Sequence, residues 1–178
     1  MKVVAFTGMP GAGKTEAINI ARSMDFPVVS MGDKVRTEAQ QHSLADNDAA
    51  VGSFADGMRQ QYGMNIWARR CLEDIKKHPR AVIDGIRNIE EVETFKHEIS
   101  HFILVAIHAS PQTRYKRLMQ RKRADDSLSV EDLKKREQRE LSWGIGDVIA
   151  MADIVVANEN DLGKFREKIK RILASLFE

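Results

Sequence analysis

Residues 8–15 read Gly8-Met9-Pro10-Gly11-Ala12-Gly13-Lys14-Thr15, three glycines and a proline ending in a Lys-Thr pair. This is the spacing G-x-x-x-x-G-K-[ST], and each residue type in it has a use around an anion. Glycines allow positive φ and leave no Cβ between the backbone N–H groups and the ligand. Lys14 adds a mobile positive charge suited to β- and γ-phosphates, and the Thr15 hydroxyl can ligate Mg²⁺. A β-like run, VVAFT, precedes the stretch and a helix-like run follows it. That helix would point its free N–H groups and positive dipole end at the same spot. The expected ligand is a nucleoside triphosphate, with ATP and Mg²⁺ as cofactors.

Two more polar clusters follow short apolar runs. Ser30-Met31-Gly32-Asp33-Lys34-Val35-Arg36 comes after PVVS, and Asp84-Gly85-Ile86-Arg87 ends the run beginning AVI. In open α/β sheets ligands gather beyond the carboxyl ends of the strands, so Asp33, Arg36, Asp84 and Arg87 can converge on the glycine loop. Asp84 is placed to hold Mg²⁺, directly or through water. Arg36 and Arg87 can grip an acceptor's phosphate, because a guanidinium fork matches phosphate oxygens. The plainer alternatives are that Asp33 caps the next helix and that Arg36 is surface charge.

A third cluster is arginine-rich. Arg114, Arg117 and Arg121 are spaced to share a helix face, Arg123 follows, and a charged helix from Val130 to Leu141 carries Arg136 and Arg139. Between them Lys122–Ser127 is polar and turn-like. Two arginine-bearing arms joined by a polar tip suit a closing lid, in which Arg117, Arg121 and Arg136 would neutralise the transferred phosphoryl group as water is excluded. Individual arginines of this kind contribute roughly 10³- to 10⁵-fold in rate. The alternative is a solvated arginine face.

These residues need a scaffold that brings strand ends together. Five short, β-branched-rich runs (3–7, 27–30, 81–84, 102–107 and 154–157) predict strands covered on both faces. Amphipathic stretches lie between them, the clearest with Leu162, Phe165, Ile169, Leu173 and Leu176 at three- and four-residue intervals. The alternation predicts an α/β fold with a parallel sheet. One crossover, about residues 31–80, is too long for one helix and reads as VRTEAQQHSL, AAVGSFADGMRQQYG and MNIWARRCLEDIKKH. It predicts an inserted helical flap beside the sheet, or else extra packing helices.

Composition bounds the alternatives. The 178 residues suit one domain, 43% are hydrophobic and 30% are charged. Twenty-eight basic against 26 acidic residues leave +2, so charge gives no push toward nucleic acid or a membrane. The lone Cys71 and five scattered histidines match no zinc spacing and no disulfide framework. A reduced cytoplasm is expected.

The motifs together resemble the nucleoside monophosphate kinase superfamily. Gly32-Asp33-x-x-Arg36 is similar to the acceptor-side motif of adenylate kinases, Asp84-Gly85-x-Arg87 to their second motif, and Arg117-Leu118-x-x-Arg121 to the entrance of their lid. Ala152-Asp153-Ile154-Val155-Val156-x-Asn158 resembles dephospho-coenzyme A kinases. With Glu140-Leu141-Ser142-Trp143-Gly144-Ile145-Gly146 the whole looks most like archaeal adenylate-kinase-related proteins. The resemblance implies a three-layer P-loop fold with a five-stranded parallel sheet in the order 2-3-1-4-5. It implies one domain over 1–178, an acceptor-binding region at about 31–80 and a short lid at about 114–140. It also implies that Asn158 lies near the adenine. The expected activity is transfer from ATP to a nucleoside monophosphate, AMP first. Transfer to a metabolite hydroxyl, as in dephospho-coenzyme A, is one alternative; an ATP-driven regulatory or assembly protein is the other. The second motif lacks the proline usual in adenylate kinases, and the lid lacks the cysteines of zinc-bearing forms.

Overall fold

The computed structural model describes residues 1–121, 129–159 and 161–177, with the side chain of Arg121 left aside. A parallel sheet of five strands forms its centre: β1 (Lys2–Thr7), β2 (Val28–Ser30), β3 (Arg80–Asp84), β4 (His101–His108) and β5 (Ile154–Ala157). Their order is β2-β3-β1-β4-β5, as expected. β1 lies at the middle, with Phe6 opposite Asp84 on one side and Thr7 opposite Ala106 on the other. That register brings the glycine loop and Asp84 to the same end of the sheet.

Both faces are covered, which explains why the strands are apolar without alternation. On one face α1 (Lys14–Ser23) and α9 (Leu162–Phe177) pack Ile18, Ile20, Phe165, Ile169 and Leu173 against Val4, Phe6 and Val105. On the other, the long crossover supplies α2 (Met31–Gln41), α3 (Asp48–Tyr62) and α4 (Ile66–Lys76), followed by α5 (Ile89–Glu98). Trp67, Cys71, Ile75 and Phe95 join Ala5, Ile83 and Leu104 in that core. The three crossover helices therefore pack as well as frame a site. Burial pushes the Cys71 thiol up to about 12, so it behaves as a small apolar side chain.

The first turn of α2 differs from expectation. Helix begins at Met31, directly after β2, because Ser30 caps it by accepting from the Asp33 N–H at 3.2 Å. The cap is Ser30, and Asp33 projects from the first turn. α6 (Pro111–Arg121) and α7 (Val130–Ser142) are the arms expected of a lid; residues 122–128, which hold Arg123 and the expected tip, lie outside the described residues. α8 (Ile145–Ala150) follows α7 through Trp143-Gly144, a tight joint in which Gly144 has φ +97°. Among the described residues no helix is long and apolar enough to cross a membrane.

Candidate active site

The glycine loop is shaped by what surrounds it. Gly8 has φ +144°, and a Cβ there would come 2.3 Å from the Ile107 carbonyl oxygen of β4. Gly13 caps α1 with φ +114°, and a Cβ would meet Asn158 Nδ2 at 2.2 Å. The caps of α2, α3, α5 and α7 are side chains that satisfy the first N–H groups; α1 has no side-chain cap. The Glu16 and Ala17 N–H groups donate to the Gly13 carbonyl, and an anion would find the N–H groups of the first turn free of any side-chain cap. Asn158 is buried and donates to the Ala12 carbonyl at 2.8 Å. It braces the loop from behind, and is not among the residues lining the cavity in front.

That cavity has a volume of about 500 Å³. Met9, Pro10, Gly11, Gly13, Lys14 and Thr15 line it together with Gly32, Asp33, Arg36, Asp84 and Arg87, and α6 and α7 contribute Arg117 and Arg136. Gly8 and Ala12 shape the loop without lining it, and the Arg121 side chain lies outside the described residues. Asp84 Oδ1, Arg87 Nη1 and Arg117 Nη1 are buried and have no hydrogen-bond partner among the described residues. An orphaned carboxylate oxygen and orphaned guanidinium nitrogens around one cavity fit a cation and anions supplied by a ligand. Oxygen ligands few in number suit Mg²⁺, which takes only one or two from protein and the rest from phosphates and water. Thr15 and Asp84 are the residues that fit it.

Lys14 Nζ donates to the Gly8 carbonyl at 3.1 Å, folded back over its own loop. Burial, and then the charge of Arg87, lower its pKa to about 8, partly opposed by Asp84 and Glu140. A triphosphate binds the charged form, which gives a signed prediction. Below pH 8 Lys14 is already protonated, so binding moves no proton there. Above pH 8 binding must take one up, and the Kd for a non-hydrolysable ATP analogue should rise about tenfold per pH unit. Calorimetry in buffers of different ionisation enthalpy measures the uptake; a Kd flat from pH 7 to 9.5 would exclude it.

A second cavity of about 100 Å³ adjoins the first, sharing Gly32, Arg36, Gly85, Arg87 and Arg136. Val35, Val51, Ala55, Trp67 and Trp143 make its apolar side. Around it lies a network that sequence reasoning missed. Glu91 is fully buried at the start of α5; it accepts from the Arg87 N–H at 2.7 Å and from Arg59 Nη2 at 3.2 Å. Burial raises its pKa, against the pull of Arg59. Arg59 in turn stacks 4.5 Å from the centre of the Trp143 ring, whose Nε1 donates to Asp56 at 3.1 Å. Arg87 is thus held at its backbone by Glu91 and at its head by Glu140, 2.8 Å from Nε. Nothing in the local sequence marks Glu91 or Arg59, whose pairing spans 32 residues.

Arg114 separates from the arginine face expected of it. It is buried, with Nε donating to the Ala109 carbonyl and Nη1 to that of Pro10 at 3.3 Å, and it pairs with Glu137. Tyr115 also donates to Glu137. These contacts clasp α6 to α7 and both to the glycine loop, leaving Arg117 as the α6 arginine whose side chain is described and which lines the cavity.

A parallel 2-3-1-4-5 sheet, a glycine loop running into a helix without a side-chain cap and a cavity lined by arginines define a nucleotide-binding fold of the P-loop kinase-like superfamily. A family model described as an AAA domain matches residues 7–134. A UPF0200 protein of Thermoplasma volcanium is 43% identical over 175 residues, spanning 98% of each chain. A UPF0200 protein of Methanosarcina mazei is 40% identical over 181 residues, spanning 100% of this chain and 97% of its own. The chain belongs to the UPF0200 family. Among solved structures, TT1252 from Thermus thermophilus matches with a TM-score of 0.67 at 20% identity, covering 98% of this chain and 97% of the other. A gluconokinase from Sinorhizobium meliloti gives 0.61 at 14%, with 98% and 93% covered. A shikimate kinase from Aquifex aeolicus gives 0.55 at 17%, with 98% and 96% covered. At these identities the likeness is one of fold.

Proposed function

We propose that this protein is a Mg²⁺- and ATP-dependent phosphotransferase whose acceptor is a nucleoside monophosphate, AMP first. One observation carries the proposal: the glycine loop with Lys14 and the arginines Arg36 and Arg87 line one and the same cavity. A donor phosphate and an acceptor phosphate would therefore meet inside it. Residues 1–178 act in this reading as one domain, with the helices of 31–80 framing the acceptor and 114–140 the lid.

The backbone of residues 9–15 and Lys14 would hold the donor phosphates, and Thr15 and Asp84 the Mg²⁺, which supplies charge neutralisation between the β- and γ-phosphates. Arg36 and Arg87 orient the acceptor. Arg117 and Arg136, with Arg121 proposed beside them, stabilise the transferred group. Catalysis is positioning plus electrostatics, with no covalent intermediate.

A second acceptor class has its own support. Asp33 lines the cavity from the first turn of α2, and gluconokinase and shikimate kinase are named for acceptors that carry hydroxyls. A hydroxyl needs a base to take its proton, whereas a phosphate oxygen is already ionised. The test is ADP release from Mg·ATP alone and then with AMP, other monophosphates or dephospho-coenzyme A. With a monophosphate acceptor, Asp33→Asn should lower kcat less than about tenfold; a hydroxyl acceptor predicts a loss of roughly 10²- to 10⁴-fold. Turnover indifferent to every acceptor would sink both kinase readings and favour an ATPase.

A further inference from the structure

Three arginines that line the larger cavity each meet a carboxylate of the protein. Arg36 Nε lies 3.8 Å from Asp46, Arg87 Nε 2.8 Å from Glu140, and Arg136 Nε 3.3 Å from Asp48. Asp48 is the most informative of these acids. It opens α3 just after the cap Asn47, and its carboxylate crosses to α7, 91 residues away, where it meets two arginines held in different ways.

Arg139 is anchored. Its Nη2 donates to Asp48 Oδ2, and its guanidinium lies 5.6 Å from the centre of the Trp143 ring. It also rests on the α3 backbone at Gly52, where a Cβ would come 2.8 Å from Arg139 Cζ. Glycine inside a helix is unfavourable, and here it makes room for this one side chain. Arg136 meets the same carboxylate in another way. Its Nε contact with Asp48 is an ion pair without hydrogen-bond alignment. Arg136 lines both cavities, whereas Arg139 lines the smaller one alone.

We propose that Asp48 holds the place of the acceptor's anion: on binding, the acceptor's phosphate takes Arg136 over from Asp48 and so brings that guanidinium between itself and the transferred group, while Arg139 stays with Asp48 as the anchor. The inference rests on the reading that this cavity receives a phosphate-bearing acceptor, and it narrows the substrate class. An incoming group must outcompete a carboxylate that is already in place. A phosphate monoester, with a charge near −2 and three acceptor oxygens, does so; a second carboxylate with one charge gains nothing.

The experiment measures binding, with the donor site saturated by a non-hydrolysable ATP analogue and Mg²⁺. Inorganic phosphate, AMP and acetate are titrated by calorimetry into wild type, Asp48→Asn and Asp48→Asn/Arg136→Met. Removing one negative charge beside the incoming anion, screened by solvent, should tighten phosphate and AMP about tenfold in Asp48→Asn. The double variant should lose that gain. Unchanged or weaker binding in Asp48→Asn overturns the proposal, as does a gain that survives loss of Arg136. Should Asp48→Asn fail to fold, wild type decides: phosphate bound at least tenfold tighter than acetate is expected, and equal affinities, or no phosphate binding, overturn it. Transfer is not needed for this measurement. A protein that binds phosphate as expected yet transfers nothing from ATP would refute the phosphotransferase and leave the Asp48 exchange standing.

Discussion

Lys14→Met protein is expected to retain no more than about one thousandth of the wild-type transfer rate, with its thermal stability nearly unchanged. The rate loss follows from position. Lys14 is the first residue of α1, its ammonium sits over the glycine loop, and it shares the cavity wall with Thr15 and Asp84. Among the described residues, charge that develops on the phosphates has no other lysine lining that cavity. Stability should hold because burial already disfavours the charged amine, as its lowered pKa of about 8 records. Its one hydrogen bond, to the Gly8 carbonyl, is worth roughly 1 kcal/mol. Initial rates of ADP formation with the preferred acceptor, alongside a melting curve, check both halves. A rate within tenfold of wild type would remove Lys14 from the chemistry.

Gly8→Ala should cost about 4 kcal/mol of stability, lowering Tm by roughly 10 °C. The new methyl group would sit 2.3 Å from the Ile107 carbonyl oxygen, which is backbone and cannot rotate away. Neither strand can yield, because β1 and β4 are paired from Lys2↔His101 to Thr7↔Ala106 in the middle of the sheet. At φ +144° alanine is strained in addition. Gly57→Ala is the control of opposite sign. It lies inside α3 with nothing within 4 Å of a built Cβ, so alanine there should stabilise by up to about 1 kcal/mol. Chemical denaturation of the two variants settles the contrast; equal and small effects would mean that the loop is not wedged against β4.

The order of legibility along this chain follows the range of the interactions. The five strands and the glycine loop could be read directly. Their signals are contiguous: a β-branched run, glycines, then an amphipathic helix, each stabilised largely by its own residues and by burial on both faces. Asp33, Arg36, Asp84 and Arg87 could be placed because a parallel sheet puts every strand end at one edge, and all four line the same cavity. The arginine spacing at 114, 117 and 121 predicted helix correctly, but periodicity alone could not say which arginine faced what. Arg114 went to the loop carbonyl of Pro10, 104 residues away, and Arg117 to the cavity.

Other features were set by tertiary structure alone. Asn158 reaches Ala12 across 146 residues, Arg139 reaches Asp48 across 91, and Glu91 fixes the backbone of Arg87 from inside the core. A charged side chain's partner depends on which helices the core packs side by side, and a buried ion pair has no local signature in either of its two segments. The amino-acid sequence by itself determined a phosphate-binding loop on a parallel sheet. Packing of α3 and of the segment after β3 against α7 decided how Arg87, Arg136 and Arg139 are held, because it brings acids distant along the chain within reach of them.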